Sequence, residues 1–203
     1  GHLGFDAEEI FAAPLRLDGR TVEEAGAIMR RLQDTLASAN GVAGVTVADG
    51  LPLDFRGRMS RVALAVDANT APAPQPVQVT RVGNTYFSVM GIPVTRGRAF
   101  TADDLLGATP VTVVSEPLAK ALAPDGDVLG KQLTFNVGAE APQTLTIVGV
   151  TADFPTSQMS TAREQLLLRL LDPSLPLGLP LDPQQVQSLP ALVLLVLGAL
   201  LIG

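Results

Sequence analysis

The chain has 203 residues, of which 47% are apolar and 17% charged, with a formal net charge of −6; that suffices for one ordinary domain or two small lobes, and with no Trp and one Tyr the interior is aliphatic. The 14 Lys and Arg are scattered rather than gathered on a basic face, which excludes nucleic acid as a partner. The absence of Cys excludes a disulfide framework and thiolate zinc sites, and the single histidine, His2, lies at the extreme terminus.

Ile10 to Leu17 is a short apolar run of strand type. Thr21 and Glu24 then spell a T-x-x-E capping box, which satisfies orphan N–H groups where a helix starts. Val22, Ala25, Ile28, Met29, Leu32, Leu36 and Ala39 fall on one face of that helix, with Glu23, Arg30, Arg31 and Asp34 mainly on the other. Asn40-Gly41 stops it and the β-branched Val42–Val47 follows, so the opening predicts strand, helix, strand. Between Arg61 and Val82 two alternating strands flank NTAPAPQP (Asn69–Pro76), a connection too poor in backbone donors for a sheet interior.

Asn84–Met90 predicts one or two helical turns, and Gly91-Ile92-Pro93 opens another extended segment. Pro110–Ser115 predicts a buried strand and Glu116–Leu122 a short helix. Gln132–Val137 and Leu145–Val150 predict a strand pair joined by a polar turn. Residues 163–171 are expected to be helical, and 172–183 carry four prolines, giving a linker over 178–188. After Asp182 no charged residue appears, and Leu189–Ile202 reads LPALVLLVLGALLI. With no polar face in this run, residues 189–203 are expected to begin a transmembrane helix; fourteen residues at ~1.5 Å each reach only ~21 Å of a ~30 Å hydrocarbon core. No Lys or Arg follows Arg169, which places the preceding domain outside the cytoplasm. No signal peptide opens the chain, so an export signal is expected upstream of Gly1.

Several chemistries can be tested on the residues. Gly130-Lys131 suggests a phosphate loop, but the first glycine of G-x-x-x-x-G-K-[ST] would fall at Asp125 and the hydroxyl at Gln132, and the stretch precedes a strand where a phosphate loop must open a helix. Asp125, Asp127 and Gly130 match three positions of a calcium loop, but Leu129 and Asn136 stand where ligands are needed. No G-x-S-x-G elbow surrounds a serine, and one terminal histidine cannot serve a Ser-His-Asp triad. Glu8-Glu9, Glu23-Glu24 and Asp103-Asp104 read as solvated or capping carboxylates, and Arg96 and Arg98 about Gly97 as a turn with two exposed cations. No catalytic, cofactor-binding or metal-ligating residue is assigned.

Four stretches nevertheless carry a pattern: YFSVMGIPVTRGRAF (Tyr86–Phe100), PVTVVSEPLAKAL (Pro110–Leu122), DVLGKQL (Asp127–Leu133) and TIVGVTADF (Thr146–Phe154). In this order they resemble the periplasmic core domain of MacB-like ABC transporter permeases, of the FtsX-like superfamily. GFD (Gly4–Asp6) resembles the segment after the first membrane helix there, and LDPSLPL (Leu171–Leu177) the stretch before the second. The resemblance implies a two-lobed α+β domain over residues 4–177: a porter-like strand-helix-strand lobe built from both ends, and an inserted, mainly β lobe over about 52–150. Gly91, Gly97 and Gly130 would permit tight turns, and Val111, Val113, Val148 and Val150 would supply strand cores.

Compared with that pattern, the region between Asp153 and Asp172 is short, as though a strand and part of a helix were missing. The resemblance also implies that ATP is hydrolysed by a separate ABC ATPase domain or subunit, and that the permease forms a homodimer or heterodimer. It further implies a periplasmic adaptor protein as partner, and a domain on the periplasmic side of the bacterial inner membrane. The runner-up expectation is a soluble periplasmic module that takes a small ligand between its lobes; an enzyme lacks a nucleophile–base pair.

Overall fold

The computed structural model describes residues 10–15, 20–48, 58–65, 73–106, 110–138, 142–152, 166–170 and 192–198. The expectations for His2, Gly4–Asp6, Glu8-Glu9, residues 69–72, Leu171–Leu177 and the 178–188 linker lie outside the described residues. In chain order the first elements are β1 (Ile10–Leu15), α1 (Val22–Ala37), β2 (Val42–Ala48), β3 (Arg58–Leu64), β4 (Gln75–Val82) and α2 (Tyr86–Val89). There follow β5 (Val94–Gly97), a 3-10 turn (Ala102–Leu105), β6 (Val111–Ser115), α3 (Glu116–Leu122), β7 (Gln132–Phe135), β8 (Gln143–Thr151), β9 (Leu166–Leu170) and β10 (Leu192–Gly198). The fold class is α+β with mostly antiparallel pairing, as expected. The chain divides into two compact units, one of Gly1–Leu51, Arg81–Gly91 and Leu171–Gly203, the other of Pro52–Thr80 and Ile92–Leu170.

In the first unit, α1 starts where its capping box dictates. The Thr21 N–H donates to Glu24 Oε2 at 2.9 Å, and the Glu24 N–H donates back to Thr21 Oγ1 at 3.3 Å. The helix ends at Ser38, whose hydroxyl donates to the carbonyls of Asp34 and Thr35. Its buried stripe is narrower than the periodicity predicts: Gly26 and Met29 are buried and Leu32 and Leu36 half-buried, while Ile28 is exposed. Helix α2 is held to β2 by the Thr85 hydroxyl, which donates to the Val45 carbonyl at 2.8 Å. Beside it a Cβ at Gly44 would meet Val89 Cγ2 at 2.9 Å, so the close approach of α2 needs a glycine there.

Two expectations about the end of the chain are corrected. Residues 192–198 form a strand, not the start of a transmembrane helix: β10 runs antiparallel between β1 (Ile10↔Leu197 to Leu15↔Leu192) and β2 (Val193↔Ala48 to Gly198↔Val42). Among the described residues no helix is long and apolar enough to cross a membrane. The reason for the difference is visible in β2, where Val45, Thr46, Val47 and Ala48 are all buried in succession. A sheet covered on both faces asks for continuous apolar strands, and such a run has no periodicity to tell it from a membrane helix. Similarly, Leu166–Leu170, expected within a helix, is strand β9 and pairs antiparallel with β6. Five residues rich in leucine are too short for periodicity to decide, and the neighbouring edge decides instead.

The second unit is a sheet that returns on itself. Its strand order is β4-β3-β7-β8-β6-β9, and an additional β4–β9 pairing joins the two ends. β3 pairs antiparallel with β4 and β7, β7 with β8 and β6 with β9, whereas β6 and β8 are parallel and connected through α3 and β7. Gln75-Pro76, expected in the connection, opens β4 opposite Val62 and Arg61; a proline is tolerated at a strand start, where few ladder bonds need its missing N–H. The enclosed core comprises Val62, Val77, Val114, Leu133, Leu145, Ile147 and Val150, with Leu118 and Leu122 of α3 packed among them. Of the four valines assigned to strand cores, Val113 and Val150 are buried and Val111 and Val148 only half-buried.

β5 pairs with β8 beyond β7, on the edge of β8 that β7 uses. Val94, Arg96 and Gly97 pair with Thr151, Val150 and Gly149 of β8, with a register shift between Val94 and Arg96. The strand turns away at Gly97, whose φ of +70° an L side chain rarely adopts, and a Cβ there would collide with the Val148 carbonyl oxygen. Gly91 and Gly130 also have positive φ, +62° and +74°, but open space beside them. Gly97→Ala is therefore expected to lose about 3 kcal/mol or more, through backbone strain and collision together. Gly130→Ala, with strain alone, should lose about 1 kcal/mol. Thermal unfolding of the two variants checks this; equal losses would show that the β5–β8 approach is not tight.

Candidate functional site

The residues with the greatest chemical promise in the sequence collect in the second unit, around β5 and the loop from α3 to β7. The loop is not a phosphate cradle, because its amides are already used. The Leu129 N–H donates to Asp127 Oδ1 at 3.2 Å, the Gly130 N–H to the Ile147 carbonyl at 2.8 Å, and the Lys131 N–H to the Val128 carbonyl at 3.1 Å. An anion would have to displace all three, with the Asp127 carboxylate repelling it. Gly130 permits the turn and Gln132 begins β7, so the stretch leads into a strand as its sequence indicated.

The calcium-like spacing dissolves for the same reason. Asn136 adopts φ +59° in the β7–β8 connection and accepts a hydrogen bond from Ser60 Oγ at 2.7 Å. Among the described residues no group of His, Cys, Asp or Glu is arranged to hold a metal ion.

Arg96 and Arg98 project from the end of β5 into carboxylates. Arg96 Nη2 lies 3.1 Å from Glu116 Oε2, in the first turn of α3, and its Nη1 lies 3.3 Å from Asp127 Oδ1. One guanidinium thus ties a strand, a helix start and a loop. Lys120, one turn along α3, lies 3.8 Å from the other oxygen of Glu116. Arg98 makes a two-point bond with Asp104, at 2.7 Å and 2.8 Å. Asp104 also accepts from the N–H and hydroxyl of Thr101, closing a capping box at the 3-10 turn.

The Arg98 hydrogen bond holds the Asp104 carboxyl below the usual carboxylate range, against the opposing effect of burial. Its side chain is 8% exposed whereas that of Arg98 is 48% exposed, so solvent screens the cation's half of the pair.

Of the acidic pairs weighed in the sequence, Glu24 and Asp104 serve as caps, as expected. The Asp104 side chain is largely buried, however, and Arg96 and Arg98, exposed as expected, are also paired with carboxylates. The partners Glu116 and Asp127 carry no local sequence signal; only the tertiary approach of β5, α3 and the 123–131 loop pairs them. Chemically, charges so matched brace the fold: Glu116, Asp127 and Asp104 are each engaged by a neighbouring cation.

The profile of the MacB-like periplasmic core domain family matches residues 13–175. The chain belongs to that family. Its fold is also similar to solved structures. The periplasmic region of MacB from Actinobacillus actinomycetemcomitans superposes with a TM-score of 0.58 at 17% identity, covering 98% of this chain and 78% of that one. The extracellular domain of the noncanonic ABC-type transporter YknZ from Gram-positive bacteria gives a TM-score of 0.51 at 16% identity, covering 94% and 82%. No curated protein matches the sequence.

Within the family pattern, Gly97 and Gly149 fall in two of the quoted stretches and meet at the β5–β8 crossing. Tyr86 and Phe87, which open the same stretch as Gly97 and lie in α2, are both buried, their rings edge to face with centroids 5.9 Å apart. The MacB-like periplasmic core domain is the extracytoplasmic part of ABC transporter permeases.

The Arg98–Asp104 pair has a pH consequence. Because the folded-state value of Asp104 is depressed, its contribution is present above the unfolded value of ~3.9 and lost as pH falls through the lower folded value. Asp104→Asn keeps an acceptor for the Thr101 N–H but loses the charge, and should cost about 1 kcal/mol at neutral pH after allowing for the exposed arginine. Parallel unfolding curves should converge with those of the native chain as pH falls through that lowered value. A gap that persists there would show that the loss does not come from the charged pair.

Proposed function

We propose that this chain is the extracytoplasmic domain of an ABC transporter permease, relaying work done by ATP hydrolysis on a separate nucleotide-binding domain or subunit. The observation that carries this reading is the family match across residues 13–175. Charges committed to ion pairs and capping bonds at the β5 corner suit a part that transmits force without making or breaking bonds itself. The two-lobed reading, with a porter-like lobe from both ends and an inserted β lobe over about 52–150, draws support from the two compact units. A permease homodimer or heterodimer and a periplasmic adaptor protein are the expected partners, and the periplasmic face of the bacterial inner membrane the expected location. Export of a substrate is the expected outcome of the cycle.

A chimera tests the proposal. This chain is placed between the membrane helices of a MacB-type permease, in place of that permease's own periplasmic region. Retained ATP turnover together with retained export is expected. Retained turnover with export abolished would mean that the chain does not couple the two. A separate thermal-shift survey of small ligands distinguishes the alternative of a binding module. A ligand at 100 times its Kd stabilises by about 2.7 kcal/mol, so a clear rise in melting temperature would favour that module over the relay.

A further inference from the structure

The turn between α1 and β2 sets one asparagine apart from the others. The chain has Asn40, Asn69, Asn84 and Asn136, followed by Gly41, Thr70, Thr85 and Val137. Asn40 and Gly41 are both exposed, whereas Asn84 and Asn136 are half-buried. The Asn136 carboxamide accepts a hydrogen bond from the Ser60 hydroxyl at 2.7 Å. By contrast, no hydrogen bond among the described residues engages the Asn40 carboxamide or the Gly41 N–H. We propose that Asn40 is a modification site, converted to aspartate and isoaspartate through a succinimide formed with the Gly41 nitrogen.

Water is the only co-reactant. A base takes the Gly41 amide proton and the nitrogen attacks Asn40 Cγ. The new C–N bond forms as the bond from Cγ to the side-chain nitrogen breaks, and that nitrogen leaves as ammonia. Water then opens the ring. Opening at the side-chain carbonyl leaves aspartate; opening at the main-chain carbonyl leaves isoaspartate, with the chain routed through Cγ and longer by a methylene. Gly41 has no Cβ to crowd its nitrogen, whereas Thr85 and Val137 are β-branched beside theirs. Neither reacting group at Asn40-Gly41 has to give up a hydrogen bond first. The turn itself demands the glycine: the Val42 N–H donates to the Ala39 carbonyl at 3.2 Å, and Gly41 has φ +83°, which an L side chain rarely adopts. The products act on both neighbours of the turn. A carboxylate arises just beyond α1, whose last turn holds no basic residue, at the negative end of the helix macrodipole. Isoaspartate also lengthens the connection into β2, which begins at Val42.

Peptide mapping by mass spectrometry tests this on the full-length folded chain, incubated at mildly alkaline pH. Conversion at Asn40 is expected to run at least about tenfold ahead of Asn84 and Asn136, equivalent to a barrier lower by about 1.4 kcal/mol. Both aspartate and isoaspartate should be found at that position. Asn40→Gln, whose longer side chain disfavours the ring, should melt like the native chain and yield no product there. After the same incubation the native chain should melt at a lower temperature, and the Asn40→Gln chain should not. Conversion at Asn40 no faster than at Asn84 and Asn136, or ahead of them only in denaturant, overturns the site. Aspartate without isoaspartate overturns the succinimide route. An unchanged melting temperature in the converted chain overturns its effect on the α1–β2 connection.

Discussion

The second unit depends on one strand, β8. Its first half pairs with β7, its second half with β5 on that same edge, and its other edge carries β6 in parallel. Leu145, Ile147 and Val150 point from it into the enclosed core, so one nine-residue segment supplies both backbone pairing and much of the interior. Such sharing demands room at the place where β7 gives way to β5. Gly149 supplies it: a Cβ there would run into the Arg98 carbonyl oxygen. The glycines at 97 and 149 are two halves of one crossing, and it is the crossing that brings Arg96 and Arg98 to their carboxylates.

That crossing also gathers the charges of this region into pairs. Ion pairs at the surface contribute little to stability individually. What Arg96 provides is constraint, because its two carboxylates come from a helix start and from a loop separated in sequence. The amides that resemble a phosphate loop are bonded to Asp127, Val128 and Ile147, which fixes the α3–β7 connection against β8. This corner is braced by charge outside and aliphatic packing within.

The elements with their own local signal were legible in the sequence. The capping box of α1, the turn glycines at 91, 97 and 130, and the β6–α3 transition each depend on residues within a few positions of one another, and each stands where it was expected. The family pattern was legible as well, because its four stretches are local. The carboxylate partners of Arg96 were not, since Glu116 and Asp127 lie 20 and 31 residues away from it. Ile28 misled for a related reason: periodicity defines a face, but the neighbouring strands decide how much of it they cover.

The end of the chain shows where sequence reasoning stops. Composition by itself established that Leu192–Gly198 must avoid water, and turn chemistry with periodicity established α1, α2, α3 and most of the strands. Whether an apolar run closes its hydrogen bonds within itself, as a helix, or with neighbours, as a strand, is not a property of the run. It is settled by whether open edges await it. Here β1 and β2 offer two, on a sheet buried on both faces at Val45–Ala48, and only the tertiary structure contains that fact.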